Sequence, residues 1–272
     1  MIEQNFYDNI NVLECIERDG IKIEIFQYKN LRGLRDARLA ENLYNLERVG
    51  MSLKQVKITL QNSSITTEPG ALYFHKGDIC AECQIGGVGG LAKKLIKNSL
   101  TEEAAFTPTY SGTGEIFLEP SFGHFILMEL DNDPIIVDKG IFYCCESGVN
   151  VEVSSQKNLS AGLFGGEGWF QTKLSGKGLC VLAIPVPLSE ILKYELNNER
   201  LQVDGNFVFL RSSSIKFTVE RSAKKLVGNI TSGEGALHTY EGTGKIWMAP
   251  TQPMYKTLGQ YNHPLTVENI SE

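Results

Sequence analysis

The stretches TYSGTGEIFLEP (residues 109–120) and TYEGTGKIWMAP (residues 239–250) agree at seven of twelve positions, although 130 residues separate them. A weaker third version, KLSGKGLCVLAI (residues 173–184), keeps Gly-x-Gly followed by apolar residues at matching places. A second signature recurs in step with the first. A glycine opens an aromatic-rich apolar run at Gly70 (GALYFHKGDICAECQ), Gly140 (GIFYCCESGVNVEVS) and Gly205 (GNFVFLRSSSIKFTVE). From that glycine to the second glycine of Gly-x-Gly the spacing is 44, 38 and 39 residues. Self-similarity at 64 to 70 residues marks three copies of one supersecondary block, each stacked on its neighbours.

Hydrophobic period identifies the blocks as β. Ile79, Ala81 and Cys83 share one phase, as do Val149, Val151 and Val153, and Ile215, Phe217 and Val219; the opposite phase is mostly polar. Strict alternation with one apolar face is the pattern of a half-buried strand. After Gly-x-Gly, Ile116 and Leu118, Cys180 and Leu182, and Ile246 and Met248 are expected to face inward. The other face of the middle copy, Leu179, Val181 and Ala183, is apolar as well, so that copy is expected to be covered on both sides. The Gly-x-Gly motifs read as tight strand connections that need positive φ.

Outside the repeats, Ile21, Ile23 and Ile25 alternate with Lys22 and Glu24 as a strand, and Leu39, Leu43 and Leu46 share one helical face. The sequence thus predicts a mainly β chain with three tandem repeats at residues 51–135, 136–200 and 201–255. An N-terminal strand–helix extension at 1–50, read as a cap or docking arm, precedes them. A short helical insertion at 91–100 lies in the first repeat, and a polar tail without periodicity starts at Thr251, with 256–272 beyond the third repeat.

A chain of 272 residues with 42% hydrophobic composition can bury a substantial core. Its net charge of −6 repels phosphate backbones and argues against nucleic acid as a partner. The sequence contains no apolar run of membrane-spanning length, and MIEQNFYDNI does not read as a signal peptide; a soluble cytoplasmic protein is expected.

Cys15, Cys80, Cys83, Cys144, Cys145 and Cys180 invite a metal or disulfide reading. Strand alternation turns Cys80 and Cys83 to opposite faces and does the same to Cys144 and Cys145. No second Cys-x-x-Cys completes a tetrahedral set, so buried thiols acting as small hydrophobes are the better reading. The histidines His75, His124, His238 and His263 are too dispersed for a metal set. His124, in the SFGHF stretch that follows Pro120, is kept as a candidate loop site. Gly-rich GGVGG (residues 86–90) lacks the Gly-Lys-Ser/Thr ending of a phosphate loop, and comparable FGGEG (164–168) and SGEG (232–235) in the other copies favour a backbone requirement. No nucleophile elbow or His-Glu-x-x-His motif is present, so no catalytic residue, cofactor or metal ligand is nominated.

The order and spacing of EPGALYF, GGVGGLAKKL, TYSGTGEIFLEP, GEGWF, LQVDGNFVFL and the closing GEG, between residues 54 and 250, resemble the altered-inheritance-of-mitochondria protein twenty-four family. The resemblance implies a fold like that of the tryptophan RNA-binding attenuator protein: three short double-stranded β-helix or β-sandwich subdomains per chain. It further implies trimeric assembly by sheet extension, an association of mitochondrial members with inner-membrane organisation, and no established enzyme activity. The N-terminal extension and the cysteine-rich middle copy depart from that pattern.

Three readings of function follow. The first is a non-catalytic oligomeric scaffold or partner-binding protein, most simply a homotrimer, with a protein or membrane-surface partner. The second is a ring that binds a small ligand or RNA between subdomains. The third is an enzyme. Phe117 and Trp247, aromatic on the less buried face of the first and third copies, are the candidate oligomer contacts.

Overall fold

Alternating residues become strands that pair antiparallel throughout. The computed structural model describes residues 5–83, 107–155, 170–221 and 236–261. In chain order the elements are β1 (Ile10–Arg18), β2 (Ile21–Tyr28), α1 (Ala37–Arg48), β3 (Lys54–Thr67), β4 (Leu72–Cys83), β5 (Pro108–Leu118), β6 (His124–Asp131), β7 (Ile135–Asp138), β8 (Phe142–Glu146), β9 (Val149–Ser155), β10 (Phe170–Ile184), β11 (Leu192–Asp204), β12 (Val208–Ser212), β13 (Lys216–Arg221), β14 (Ala236–Met248) and α2 (Gln252–Tyr261). The chain is mainly β, as its alternation predicts.

The Gly-x-Gly motifs are not turns. Each lies inside a long strand that runs between two partners: β5 between β3 and β4, β10 between β6–β7 and β8–β9, and β14 between β11 and β12–β13. The positive φ expected there is present, at Gly112 (134°), Gly176 (102°) and Gly242 (134°), but it bends a strand and does not reverse it. At Gly112 a Cβ would stand 2.0 Å from the backbone oxygen of Asp78, so only glycine lets β5 approach β4 this closely.

Opposite each bend stands an asparagine in the left-handed region: Asn62 (φ 50°) in β3, Asn132 (58°) between β6 and β7, and Asn198 (54°) in β11. Asparagine tolerates this conformation better than most residues. The register slips at each place: β3 resumes pairing with β5 only at Ser63 after Leu60, and β11 with β14 only at Glu199 after Leu196. The Asn62 and Asn198 N–H groups donate to the Thr113 and Thr243 hydroxyls at 3.0 and 2.9 Å. With lysine at the matching position of the middle strand, the Asn132 N–H donates instead to the Gly176 carbonyl at 2.9 Å.

The strands enclose three hydrophobic cores. The first core joins Ile21, Ile23 and Ile25 of β2, Ile58 of β3, and Ile116 and Leu118 of β5 to Cys144, Leu179 and Val181. The second joins Cys180 and Leu182 of β10 to Leu174, Phe209 and Leu210, with Trp247 packed against it. The third is smaller, centred on Val203, Ile215, Tyr240, Ile246 and Met248. Both faces of β10 are covered, as its sequence predicts: Leu179, Cys180, Val181 and Leu182 are fully buried. At about 1.5–3 kcal/mol per large apolar side chain, this strand is a principal source of stability.

Several expectations are corrected. Ala81 is exposed, because β4 is an edge strand whose only partner among the described residues is β5; Ile79 still packs on the first core. The extension is more than a cap, since β2 pairs along β3 from Gln27↔Lys54 to Ile21↔Leu60 and fills the first core. The predicted strand and helix are present as β2 and α1, but the exposed β1, whose alternation is weak, escapes the sequence reading. The segment after Thr251 forms α2 where only an aperiodic tail is expected: Pro253 falls in the first turn, where a missing N–H costs nothing, and the hydroxyls of Thr251 and Tyr255 both donate to Glu190. The proposed helical insertion at 91–100 and the three Gly-rich loops lie outside the described residues, as does His263.

Candidate assembly interface

Two places within the chain show how one group of strands joins the next. The C-terminal part of β3 pairs with β8, at Ile65↔Glu146, Thr66↔Cys145 and Thr67↔Cys144. In the same way β7 pairs with β12, at Ile135↔Ser212, Ile136↔Arg211 and Val137↔Leu210. At the two ends, the corresponding edges have no strand beside them among the described residues: β11 pairs only with β14, and β4 only with β5. Near the edge of β4, Tyr73 and Phe74 are 55% and 47% exposed.

Phe117 and Trp247 are brought to different situations. Trp247 is partly buried against the second core, with the Lys193 ammonium 4.1 Å from its ring centroid. Phe117, expected on a less buried face, is 6% exposed because the Phe74 ring stacks on it at 4.5 Å and Lys57 lies over it at 5.5 Å. The sequence reading names Phe117 and misses Phe74, which is the ring left open to solvent. The recurring asparagines are also missed; each stands seven or eight residues before Gly70, Gly140 or Gly205, so the repeat alignment carried their signal.

His124 starts β6 directly after the crossover from β5, where Ser121 bridges back to Lys54. The Lys54 ammonium donates to the carbonyls of Gly123 at 3.1 Å and Ser52 at 3.3 Å, which pins the crossover. Burial, then the neighbouring Lys54 charge, pushes the His124 pKa below its ordinary value, and burial likewise lowers that of Lys54. This arrangement holds a connection in place.

The cysteines follow strand alternation. Cys144 faces the first core, while Cys145 and Cys180, directly opposite each other across β8 and β10, face the second. Burial raises all three thiol pKa values, that of Cys180 to about 12. Cys15 and Cys80 are exposed, and the side chain of Cys83 lies outside the described set. Among the described residues no group of three His, Cys, Asp or Glu side chains is placed to hold a metal ion.

A charged network locks the N-terminal hairpin onto the middle strands. Arg18 pairs with Glu129 and, at 2.9 Å, with Glu146, whose carboxylate also accepts the Leu179 N–H at 2.7 Å. Glu14 accepts the Leu127 N–H of β6 at 2.9 Å. Beside this network a cleft of about 680 Å³ is lined by Glu14, Glu129, Asp131, Lys193, Lys245 and Trp247, among others.

No helix among the described residues is long and apolar enough to cross a membrane. No curated protein matches the chain. Its fold is similar to the crystal structure of a Streptococcus pyogenes protein, with 19% sequence identity and a TM-score of 0.54, over 78% of this chain and 94% of that one. The family model described as mitochondrial biogenesis AIM24 matches residues 46–251. The chain therefore belongs to the AIM24 mitochondrial biogenesis family.

Proposed function

We propose that this protein is a non-catalytic building block of a homo-oligomeric β scaffold, three chains closing into one cytoplasmic ring by sheet extension. The reading treats the groups β3–β5, β6–β10 and β11–β14 as copies of one unit. The observation that carries it is the pair of matching joints, β3 with β8 and β7 with β12, together with the edges of β11 and β4 that have no strand beside them among the described residues. An exposed edge is either blocked or paired. Pairing one end with the other is a heterologous contact, which in a soluble assembly closes into a ring; the family resemblance suggests three chains. Sedimentation equilibrium tests this: a mass near three times the 30.2 kDa chain is expected, and a concentration-independent monomer refutes it.

The cleft beside Trp247 favours a second reading, a ring that holds a small ligand between units. Its lining mixes acidic groups, Glu14, Glu129, Asp131 and Asp133, with Lys193, Lys245 and the Trp247 ring, which suits a small amphiphilic molecule. Native mass spectrometry of protein purified from its own cells would retain such a ligand, and a bare chain mass would count against it.

A further inference from the structure

We infer that the cleft beside Trp247 is a site for a single-chain carboxylate amphiphile, its carboxylate held by the Lys193 ammonium with Lys245 beside it and its alkyl chain directed at the second core. The inference rests on the small-ligand reading of that cleft and gives the ligand its class.

Comparing equivalent positions of the first and third strand groups gives the charge of the head group. Phe117 and Trp247 occupy the same place after the second glycine of Gly-x-Gly. Each faces a lysine on the neighbouring strand, Lys57↔Phe117 and Lys193↔Trp247, and each lysine lies over its ring, at 5.5 and 4.1 Å from the centroid. In the first group that lysine is neutralised: Lys57 forms an ion pair with Glu115 and donates to the Tyr7 hydroxyl at 3.2 Å. In the third group Lys245 stands where the first has Glu115. Lys245 pairs with Asp133 at 3.2 Å, and Lys193 has no carboxylate partner among the described residues, only the Trp247 ring. The carboxylate that Glu115 supplies to Lys57 is therefore missing beside Lys193, and a ligand can supply it.

The acidic side chains of the cleft do not oppose an anion there, because each is already engaged. Glu129 pairs with Arg18, Asp131 with Lys177 at 2.9 Å and Asp133 with Lys245, while Glu14 accepts the Leu127 N–H at 2.9 Å. The rest of the lining is apolar. Leu130, Ile135 and Leu210 are buried members of the second core, and Met128 and Trp247 pack against it. The cleft thus joins an exposed, charged part to the flank of a core, and its volume of about 680 Å³ falls within the about 300–1,000 Å³ of small-molecule sites. A small hydrophilic anion would leave these apolar side chains without a partner, and an uncharged hydrocarbon would leave Lys193 without one; an alkyl carboxylate meets both. The unbranched thioether of Met128 can adapt to a chain laid along it. Every lining residue comes from one chain, so the site is complete without a neighbour.

The test is calorimetric titration of the full-length chain with decanoate, decylamine and decanol, which share one alkyl chain and differ in head-group charge, each kept below its aggregation concentration. The expected result is one decanoate bound per chain, about tenfold or more tighter than decylamine or decanol. Lys193→Gln should weaken decanoate about tenfold and bring it level with decanol, and Lys193→Arg should keep the preference. Lys193 is exposed on its strand, so neither substitution disturbs a core. Decylamine or decanol binding as tightly as decanoate, or decanoate binding left unchanged by Lys193→Gln, overturns the carboxylate class and leaves the small-ligand cleft standing. A chain that takes up none of the three overturns both.

Discussion

Replacing Gly112 by alanine tests the claim that the recurring glycines exist to bend strands at close approach. Gly112 has φ of +134°, and a Cβ added there meets three backbone atoms: the Asp78 oxygen at 2.0 Å, the Asp78 carbonyl carbon at 3.1 Å and the Ile79 Cα at 3.4 Å. The backbone conformation alone costs a non-glycine residue about 1–3 kcal/mol. The overlap cannot be relieved by a side-chain rotation, so β4 and β5 must part around the Ile79↔Gly112 rung, at about 1 kcal/mol for each ladder hydrogen bond weakened. The sum is about 3–5 kcal/mol. Gly70 is the control, since its φ of +82° is also left-handed but nothing lies within 4 Å of its Cβ position. There alanine pays the conformational term, about 1–2 kcal/mol, partly offset by about 0.4–1 kcal/mol from a less flexible unfolded chain. Thermal unfolding at fixed protein concentration reads the difference. At about 2–4 °C per kcal/mol, Gly70→Ala should lower Tm by a few degrees and Gly112→Ala by about 6 °C or more. Equal shifts would mean that β4 does not crowd Gly112, and the strand-bend account of the motif would fail.

Two further outcomes follow from buried titratable groups. His124 and His238 both have folded pKa values held below 6.5 by burial, so the unfolded chain binds more protons in that range; stability should fall as pH drops through 6.5 toward the folded values and be fully present above it. Urea unfolding from pH 7.5 to 5.5 should show this slope, and His124→Gln with His238→Gln should flatten it; an unchanged slope would assign the proton uptake elsewhere. For the thiols, an aromatic disulfide reagent should label Cys15 and Cys80 in the native protein and reach Cys144, Cys145 and Cys180 only after denaturation. Rapid native labelling of any of those three, identified by peptide mass, would contradict the packing of the cores.

The sequence carried the β class and the inward phase because both depend on period-two alternation, which Ile116, Leu118, Cys180, Leu182, Ile246 and Met248 display plainly. It also carried the double coverage of β10, since four consecutive apolar residues from Leu179 to Leu182 have no polar face to offer water. It misplaced the Gly-x-Gly motifs for a physical reason: positive φ marks a turn and a strand bend alike, and only the partner strand tells them apart. That partner is Asn62, Asn132 or Asn198, more than forty residues away in sequence. Phe74 was illegible for a similar reason. On one strand it reads as one more apolar residue, and its exposure becomes visible only when β4 is seen to pair with β5 alone among the described residues.

For the proposed assembly through β11 and β4, three other edges bear on whether growth would stay controlled. The N-terminal half of β3 could pair outward, but β2 occupies it along its length. The equivalent edge of β6 has its Leu127 N–H taken by the Glu14 carboxylate, delivered by the same hairpin. The equivalent part of β11 carries exposed Lys193 and Glu195, charges that oppose edge-to-edge association. The N-terminal extension therefore does two jobs at once: it fills the first core with Ile21, Ile23 and Ile25, and it closes two edges that would otherwise compete with the joint. In the proposed ring β11 of one chain would meet β4 of the next, so chains would add head to tail and addition would stop when the last acceptor met the first donor.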